Sequence, residues 1–427
     1  MNITSRKYFY LLVTLFLLSF LPLYFINYKP IIGYTISYIL TSLIFIPLCF
    51  YILQNEITGR DFIILFSFAV ILRIILVPVH PTGSDDYYRY LWDGKVEASG
   101  INPYSYAPDA SALSGLHSDI LPKLVNYPDM KTIYPPVSQA IFYVSYLIGG
   151  ESYFGLKIFH LIFDLITIFG IFLIIKRLNL PQKNILIYVL APLPLFQFFI
   201  DAHVDSFGLT FIVFSIYFYL VNKKLLSFIF IGLSICVKPL GLILLPIYFL
   251  NEKFITGKIK SVLIPISICI LLYIPFVFTG TPFQALLKFT ENWTFNGVVF
   301  DILDSFIHDN QRVRLICAAL LFITYLPVIF SKKSILNKIY FSLILLFIFS
   351  PIVHPWYLSW LVIMLPFIPK QSGIVYSGLI SLTAFTVLNY RLAGTWHEYT
   401  LVLVFEYAPV IILFLMDLFS DRYAAQA

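Results

Sequence analysis

The sequence predicts an all-α fold: a polytopic transmembrane helix bundle with an outer juxtamembrane helix and larger extracytoplasmic loops. Three observations predict this class. Of the 427 residues, 60% are hydrophobic and only 12% charged, about half the charged share of a soluble domain. Apolar runs recur along the chain at lengths near the roughly 20 residues that a bilayer span needs. No long linker, low-complexity tract or soluble domain separates them. The formal charge of +6 is scattered in small clusters between the runs, so nucleic acid is not an expected partner, while membrane lipids are. The 18% aromatic content suits membrane-interface belts and sugar-stacking surfaces equally well. Cys49, Cys236, Cys269 and Cys317 all lie inside apolar runs with no C-x-x-C pair, which reads as core packing without a disulfide framework or zinc site.

Taken in order, the elements begin with basic Arg6 and Lys7 and an apolar run over 8–26. Without a small-residue cleavage site, this reads as a retained first span. Further runs cover 31–53, 62–79, 154–175, 184–200, 206–221, 261–279, 312–330, 337–353, 374–390 and 400–419. The run 224–250 is interrupted by VKPLG and divides into two short helices meeting at Lys238 and Pro239. The run 355–369 is short and follows HPWY. The expected total is about 14 spans.

The positive-inside rule orients them. With Arg6, Lys7 and Arg60 inside, the third span exits near Pro78 and residues 80–136 lie outside. That loop carries seven acidic residues against four basic ones. Placing 137–149 in the outer interface, rather than across the bilayer, keeps Lys176, Arg177, Lys183, Lys223, Lys224, Lys253, Lys258, Lys260, Lys332, Lys333 and Lys338 inside. Both termini are then inside. Asp164, within the run 154–175, is expected to face the bundle interior.

Under this topology the awkward polar residues gather on the outer side. GSDDYYRYLWDG (83–94) supplies Asp85, Asp86, Tyr88, Arg89 and Trp92. Tyr134 and Gln139 flank the opening of the interfacial helix, and FFIDAHVDSF (198–207) supplies His203 and Asp205. Lys238, His354, Trp356 and Arg391 complete the set. Ionisable residues at membrane depth usually mark a site, and these segments together suggest one cavity opening outward. The triplet Asp201, His203 and Asp205 reads equally as metal ligands or as a turn cap with a structural pair. No phosphate-binding glycine loop, dinucleotide fingerprint, H-E-x-x-H or G-x-S-x-G occurs. An outward site handling sugar would need a donor carried on a lipid phosphate. A carboxylate can take the acceptor's proton, and Lys or Arg can neutralise the departing phosphate.

The stretches SDDYYRYLWDGKVEASGINPYSYAPD (84–109) and IYPPVSQAIFYVSYLIGG (133–150) resemble the bacterial GT-C polytopic glycosyltransferases. Within these they look closest to the polyprenol-phosphate-mannose-dependent mannosyltransferases around glycosyltransferase family 87. The shared pattern includes G-x-x-P-Y, here Gly100 to Tyr104. GLSICVKPLGLILLP (232–246) resembles the family's small-residue helix ending in Lys-Pro. The Pro135-Pro136 opening is also similar to protein O-mannosyltransferases and lipid A aminoarabinose transferases.

The resemblance implies an inverting transferase in the bacterial cytoplasmic membrane, its site facing the periplasm. It would move a sugar, mannose for preference, from a polyprenyl-phosphate donor to a glycan or glycolipid acceptor. The family's catalytic aspartate maps onto Asp86 or Asp85, with Asp86 preferred because it directly precedes the Tyr-Tyr-Arg run. The donor phosphate maps onto Lys238, with Arg89, Arg391 and His354 assisting. Tyr88, Trp92, Tyr134, Gln139, His203, Asp205 and Trp356 are the candidate substrate contacts. The scheme requires no cofactor; a divalent metal is compatible with it but not needed. Residues 1–60 form two additional N-terminal spans, and 61–427 the GT-C-like domain with 80–136 as its catalytic loop. The rivals are a lipid-linked sugar flippase and an undecaprenyl-diphosphate glycan ligase or polymerase. A flippase predicts inverted repeats and charges near the midplane; a ligase predicts a large late outer loop.

Overall fold

The structure, a computed structural model, describes residues 3–420. Every regular element among them is helical, and the one extended pairing is an isolated bridge between Phe295 and Ile352. The all-α polytopic class is therefore observed. The expectation that both termini lie inside falls partly on residues 1–2 and 421–427, outside the described residues.

Seven described helices are long and apolar enough to cross a membrane: Arg6–Phe25, Pro30–Gln54, Phe154–Arg177, Ile255–Val277, Asn310–Phe330, Gln371–Ala393 and Thr400–Phe419. Four shorter apolar helices accompany them, Asp205–Leu220, Lys224–Ile235, Pro239–Asn251 and Ile335–Phe349. This is fewer long helices than apolar runs, and the sequence explains the difference. The run 184–200 folds as two short helices, Ile185–Val189 and Pro192–Gln197, because Pro192 and Pro194 supply no backbone N–H. The 16-residue helix Asp205–Leu220 reaches about 24 Å, short of the roughly 30 Å hydrocarbon core. The expected break at Lys238 is present, because a residue before proline is driven out of helical geometry. Lys238 is extended there, with φ −153° and ψ 133°.

The chain packs into two compact units. The first comprises Met1–Ile75, Ile171–Gln197 and Thr294–Ala427; the second comprises Leu76–Gly170 and Phe198–Trp293. The first unit holds the two N-terminal spans, whose Phe20, Tyr34 and Tyr38 rings lie 5.7, 5.6 and 4.8 Å from the Phe196 ring. Its buried Arg73 donates to the carbonyl oxygens of Ala69 (2.9 Å) and Val189 (2.7 Å), so the charge sits among backbone acceptors rather than in lipid.

The second unit is organised around residues 154–170 of the helix Phe154–Arg177. Lys157, His160, Asp164 and Thr167 recur every three or four residues on one buried face, so Asp164 is interior as expected. His160 Nδ1 lies 2.6 Å from Ser206 Oγ, and Thr167 Oγ1 lies 2.7 Å from Thr210 Oγ1. These contacts fix the rotation of the helix Asp205–Leu220 and so the direction of its first residue. The helix Pro136–Gly149 starts on proline, which the first helical position tolerates. It buries Ser138, Gln139, Ile141, Phe142 and Ser145 and exposes Val144, Leu147 and Ile148. The helix Asp86–Ala98 crosses it at Gly94, where a Cβ would meet the Phe142 carbonyl oxygen at 2.3 Å. Only glycine allows that approach.

Candidate active site

Asp86 opens the helix Asp86–Ala98 and its backbone N–H donates to Ser84 Oγ at 3.2 Å. Its side chain is 22% exposed. The preceding loop is held from across the unit: Asp201 Oδ1 accepts from the backbone N–H groups of Gly83 (2.7 Å) and Thr82 (3.2 Å). Asp201 is followed by Ala202 in the left-handed region, at φ +61°, a conformation a non-glycine residue adopts only when its surroundings enforce it. That turn delivers the buried His203, whose Nδ1 lies 3.7 Å from Asp86 Oδ2. Asn126, from the long loop, donates its amide to Asp86 Oδ1 at 2.9 Å and to Asp85 Oδ1 at 3.2 Å. One neutral amide thus bridges two adjacent carboxylates.

Asp205 is fully buried, and both its oxygens accept from Lys238 Nζ, at 2.9 and 2.8 Å. The pair is close enough for both its charges to act on Asp86. Burial pushes the Asp86 carboxyl up to about 6, and Asp85 pushes the same way. The Asn126 amide and Lys238 oppose the rise, while Asp205 adds slightly to it. A carboxylate held near 6 is ionised at neutral pH yet a stronger base than a solvated aspartate.

The other expected contacts of this unit each have partners within it. Arg89 is buried and its guanidinium donates to the carbonyl oxygens of Met130 (2.9 Å) and Lys131 (3.2 Å), with Asp93 4.0 Å away. It fastens the loop to the helix. Gln139 is buried and donates to Thr132 Oγ1 (2.8 Å) and Asp93 Oδ2 (3.2 Å). Trp92 is buried with its ring 5.8 Å from the His117 ring. Tyr134 is half-buried, edge-on to Tyr90 at 5.0 Å, and Tyr88 is half-buried with its ring 4.0 Å from that of Tyr87. Asp205, expected to touch substrate, is the partner of Lys238. Lys238 reaches the site already paired, so any anion it meets must share it with Asp205. His354, Trp356 and Arg391 belong to the first unit. Sequence reasoning missed Asn126, which lies in an irregular loop with no periodicity or motif to mark it.

Among the described residues, no three His, Cys, Asp or Glu side chains are grouped so as to hold a metal ion. Asp201 is engaged by the loop amides and Asp205 by Lys238, so the triplet at 201–205 is divided between two structural tasks.

A family model described as "Alpha-(1->6)-mannopyranosyltransferase, N-terminal domain", of the MptA_B family, matches residues 21–251. The match covers more than half of the chain and contains Asp85, Asp86, Asn126, His203, Asp205 and Lys238. No curated protein and no solved structure gave a significant match.

Proposed function

Since the chain belongs to the MptA_B family and is a mannosyltransferase, we propose that it takes mannose from a polyprenyl-phosphate donor and attaches it, with inversion, to an extracytoplasmic glycan or glycolipid. The observation that carries this reading is Asp86: a half-buried carboxylate raised to about 6, 3.7 Å from His203, and within electrostatic reach of a lysine. Asp86 takes the proton from an acceptor hydroxyl. That oxygen attacks the anomeric carbon, the bond from carbon to phosphate oxygen breaks, and the lipid phosphate leaves with the bonding pair. Direct displacement turns a β-mannosyl donor into an α-mannoside, and the α-(1→6) linkage in the family description supports the 6-hydroxyl of a mannose as the attacking group.

Lys238 faces the phosphate. Two of its three N–H bonds point at Asp205. Asp205 therefore fixes where the ammonium stands, at the expense of part of its charge. Positioning of this kind counts for more in a dry site than in water. The loop 80–136 is assigned to the outer face of a bacterial cytoplasmic membrane, on the charge asymmetry of the loops and the need for a lipid-borne donor.

The test uses the purified chain in lipid nanodiscs with radiolabelled polyprenyl-phosphate-mannose and an α-(1→6)-mannobiose acceptor. Wild type should transfer label. Asp86→Asn should lose transfer by on the order of 10²-fold or more while binding the donor as before. Undiminished transfer by Asp86→Asn would remove Asp86 as the base.

A further inference from the structure

The motifs HPWY (354–357) and TWHEY (395–399), together with the strand-like stretch around Phe295, are not used by the reaction scheme above. All three lie in the first unit, beyond residue 251 where the family match ends. The structure brings them together. Phe295 pairs through its backbone with Ile352, and its ring lies 4.7 Å from His354 and 5.3 Å from Trp396. His354 stacks on Trp356 at 4.3 Å and 6°. Trp396 meets Tyr390 at 5.6 Å. The His354 ring, expected beside a phosphate, lies within this run of aromatic faces. The run opens outward at Trp396, which is 49% exposed, and at Tyr390, 42% exposed.

The groups beside the rings are acceptors. Asn296, buried and in the left-handed region at φ +53°, gives its backbone N–H to Glu398 (2.6 Å) and its amide to Glu406 Oε1 (3.0 Å). Glu406 is fully buried, and its second oxygen meets no hydrogen-bond donor among the described residues. Asp301, half-buried, is close enough to Glu398 for the two charges to interact. The loop holding Trp396 is built rather than loose. Gly394, at φ +72°, closes the preceding helix, and Asn389 donates to the Thr395 carbonyl oxygen (2.7 Å) and hydroxyl (3.0 Å).

Aromatic faces with carboxylate acceptors suit a ligand that offers C–H faces and hydroxyl donors. Glu398, the half-buried carboxyl at the exposed end of the run, offers a phosphate or an anionic headgroup no countercharge. Arg391, the cation on the preceding helix, is exposed. We propose that this platform is a neutral-saccharide subsite, with Trp396 and Trp356 stacking on pyranose rings and the half-buried Glu398 accepting from sugar hydroxyls. It goes beyond the assignment of Asp86 and rests on the mannosyltransferase reading only for the choice of sugar.

The probe is α-(1→6)-mannobiose without donor, titrated into the full chain in nanodiscs and followed by tryptophan fluorescence and by isothermal calorimetry. Wild type and Asp86→Asn should bind equally. Trp396→Ala should weaken binding about tenfold, Trp396→Tyr should restore most of it, and Glu398→Gln should weaken it with the melting temperature held. Equal affinity in wild type, Trp396→Ala and Glu398→Gln would overturn the proposal, as would no binding by wild type. Tighter binding of choline than of mannobiose would also overturn it, because the rings and carboxylates would then form a cation site. Failure of the Asp86 reading shows separately, as turnover by Asp86→Asn with mannobiose binding intact.

Discussion

The chemistry at the scale of single residues turns on Asp86 and the two groups touching its first oxygen's neighbourhood, Asn126 and Asp85. Asn126 donates to the charged form of Asp86, so Asn126→Ala should raise the acid limb of the kcat/KM profile above about 6. Asp85→Asn removes a like charge and should lower it. Below that limb, activity should fall tenfold per pH unit as the base protonates. A profile unmoved by either variant would detach the limb from this pair. The same shift has a consequence for stability. The folded-state pKa is raised over the ordinary 3.8, so the stability associated with this group is fully present below about 4 and is lost as pH rises through about 6. Asp86→Asn should therefore melt higher than wild type at pH 8, by an amount equivalent to about 1–3 kcal/mol, and no higher at pH 3.5. Lys238 shows a different balance. Lys238→Ala leaves Asp205 charged and buried, which should cost about 3–5 kcal/mol. Lys238→Met with Asp205→Leu should recover the melting temperature while the donor KM stays raised. Recovery of both would remove Lys238 from donor binding.

Among the elements, the site depends on two close fits. The helix Asp86–Ala98 lies against Pro136–Gly149 only because Gly94 has no side chain. Gly94→Val should push the helices apart, lower the melting temperature and reduce turnover together, whereas Gly115→Ala, with nothing within 4 Å of its Cβ position, should change neither. The second fit is the loop carrying Ser84 to Asp86, tied to the turn at 201–205 through Asp201. Asp201→Asn keeps the shape but replaces a charge-assisted acceptor with a neutral one. It should reduce kcat through misplaced Asp86 and leave donor affinity nearly unchanged, a split that single-turnover kinetics can read. The elements themselves were legible to different degrees. Pro239 announced the break that extends Lys238, and Pro135 with Pro136 announced the start of the helix Pro136–Gly149. The run 184–200 looked like a span because hydropathy ignores the two prolines that divide it, and the 16 residues of Asp205–Leu220 looked like one because burial in protein and burial in lipid select the same residues.

For the molecule as a whole, composition alone determined the class. So few charges over so long a chain leave lipid as the only solvent for much of its surface, and a backbone in lipid must be helical unless a barrel closes. The adjacent carboxylates of 83–94, the Lys-Pro break and the aromatic loop motifs also stood in the sequence, because chemistry needs particular residue types and those are visible one by one. What the sequence did not determine was who meets whom. Only the tertiary structure separated Asp86, with Asn126 and His203 around it, from Arg89 and Gln139, which hold the loop from beneath, and only it paired Asp205 with Lys238. Only it gathered Phe295, His354, Trp356 and Trp396 from three distant segments. The physical reason is that a hydrophobic period fixes which face of a helix is buried, whereas hydrogen bonds and ring contacts depend on distances of a few tenths of an ångström between segments that may be a hundred residues apart, and these exist only once the chain has packed.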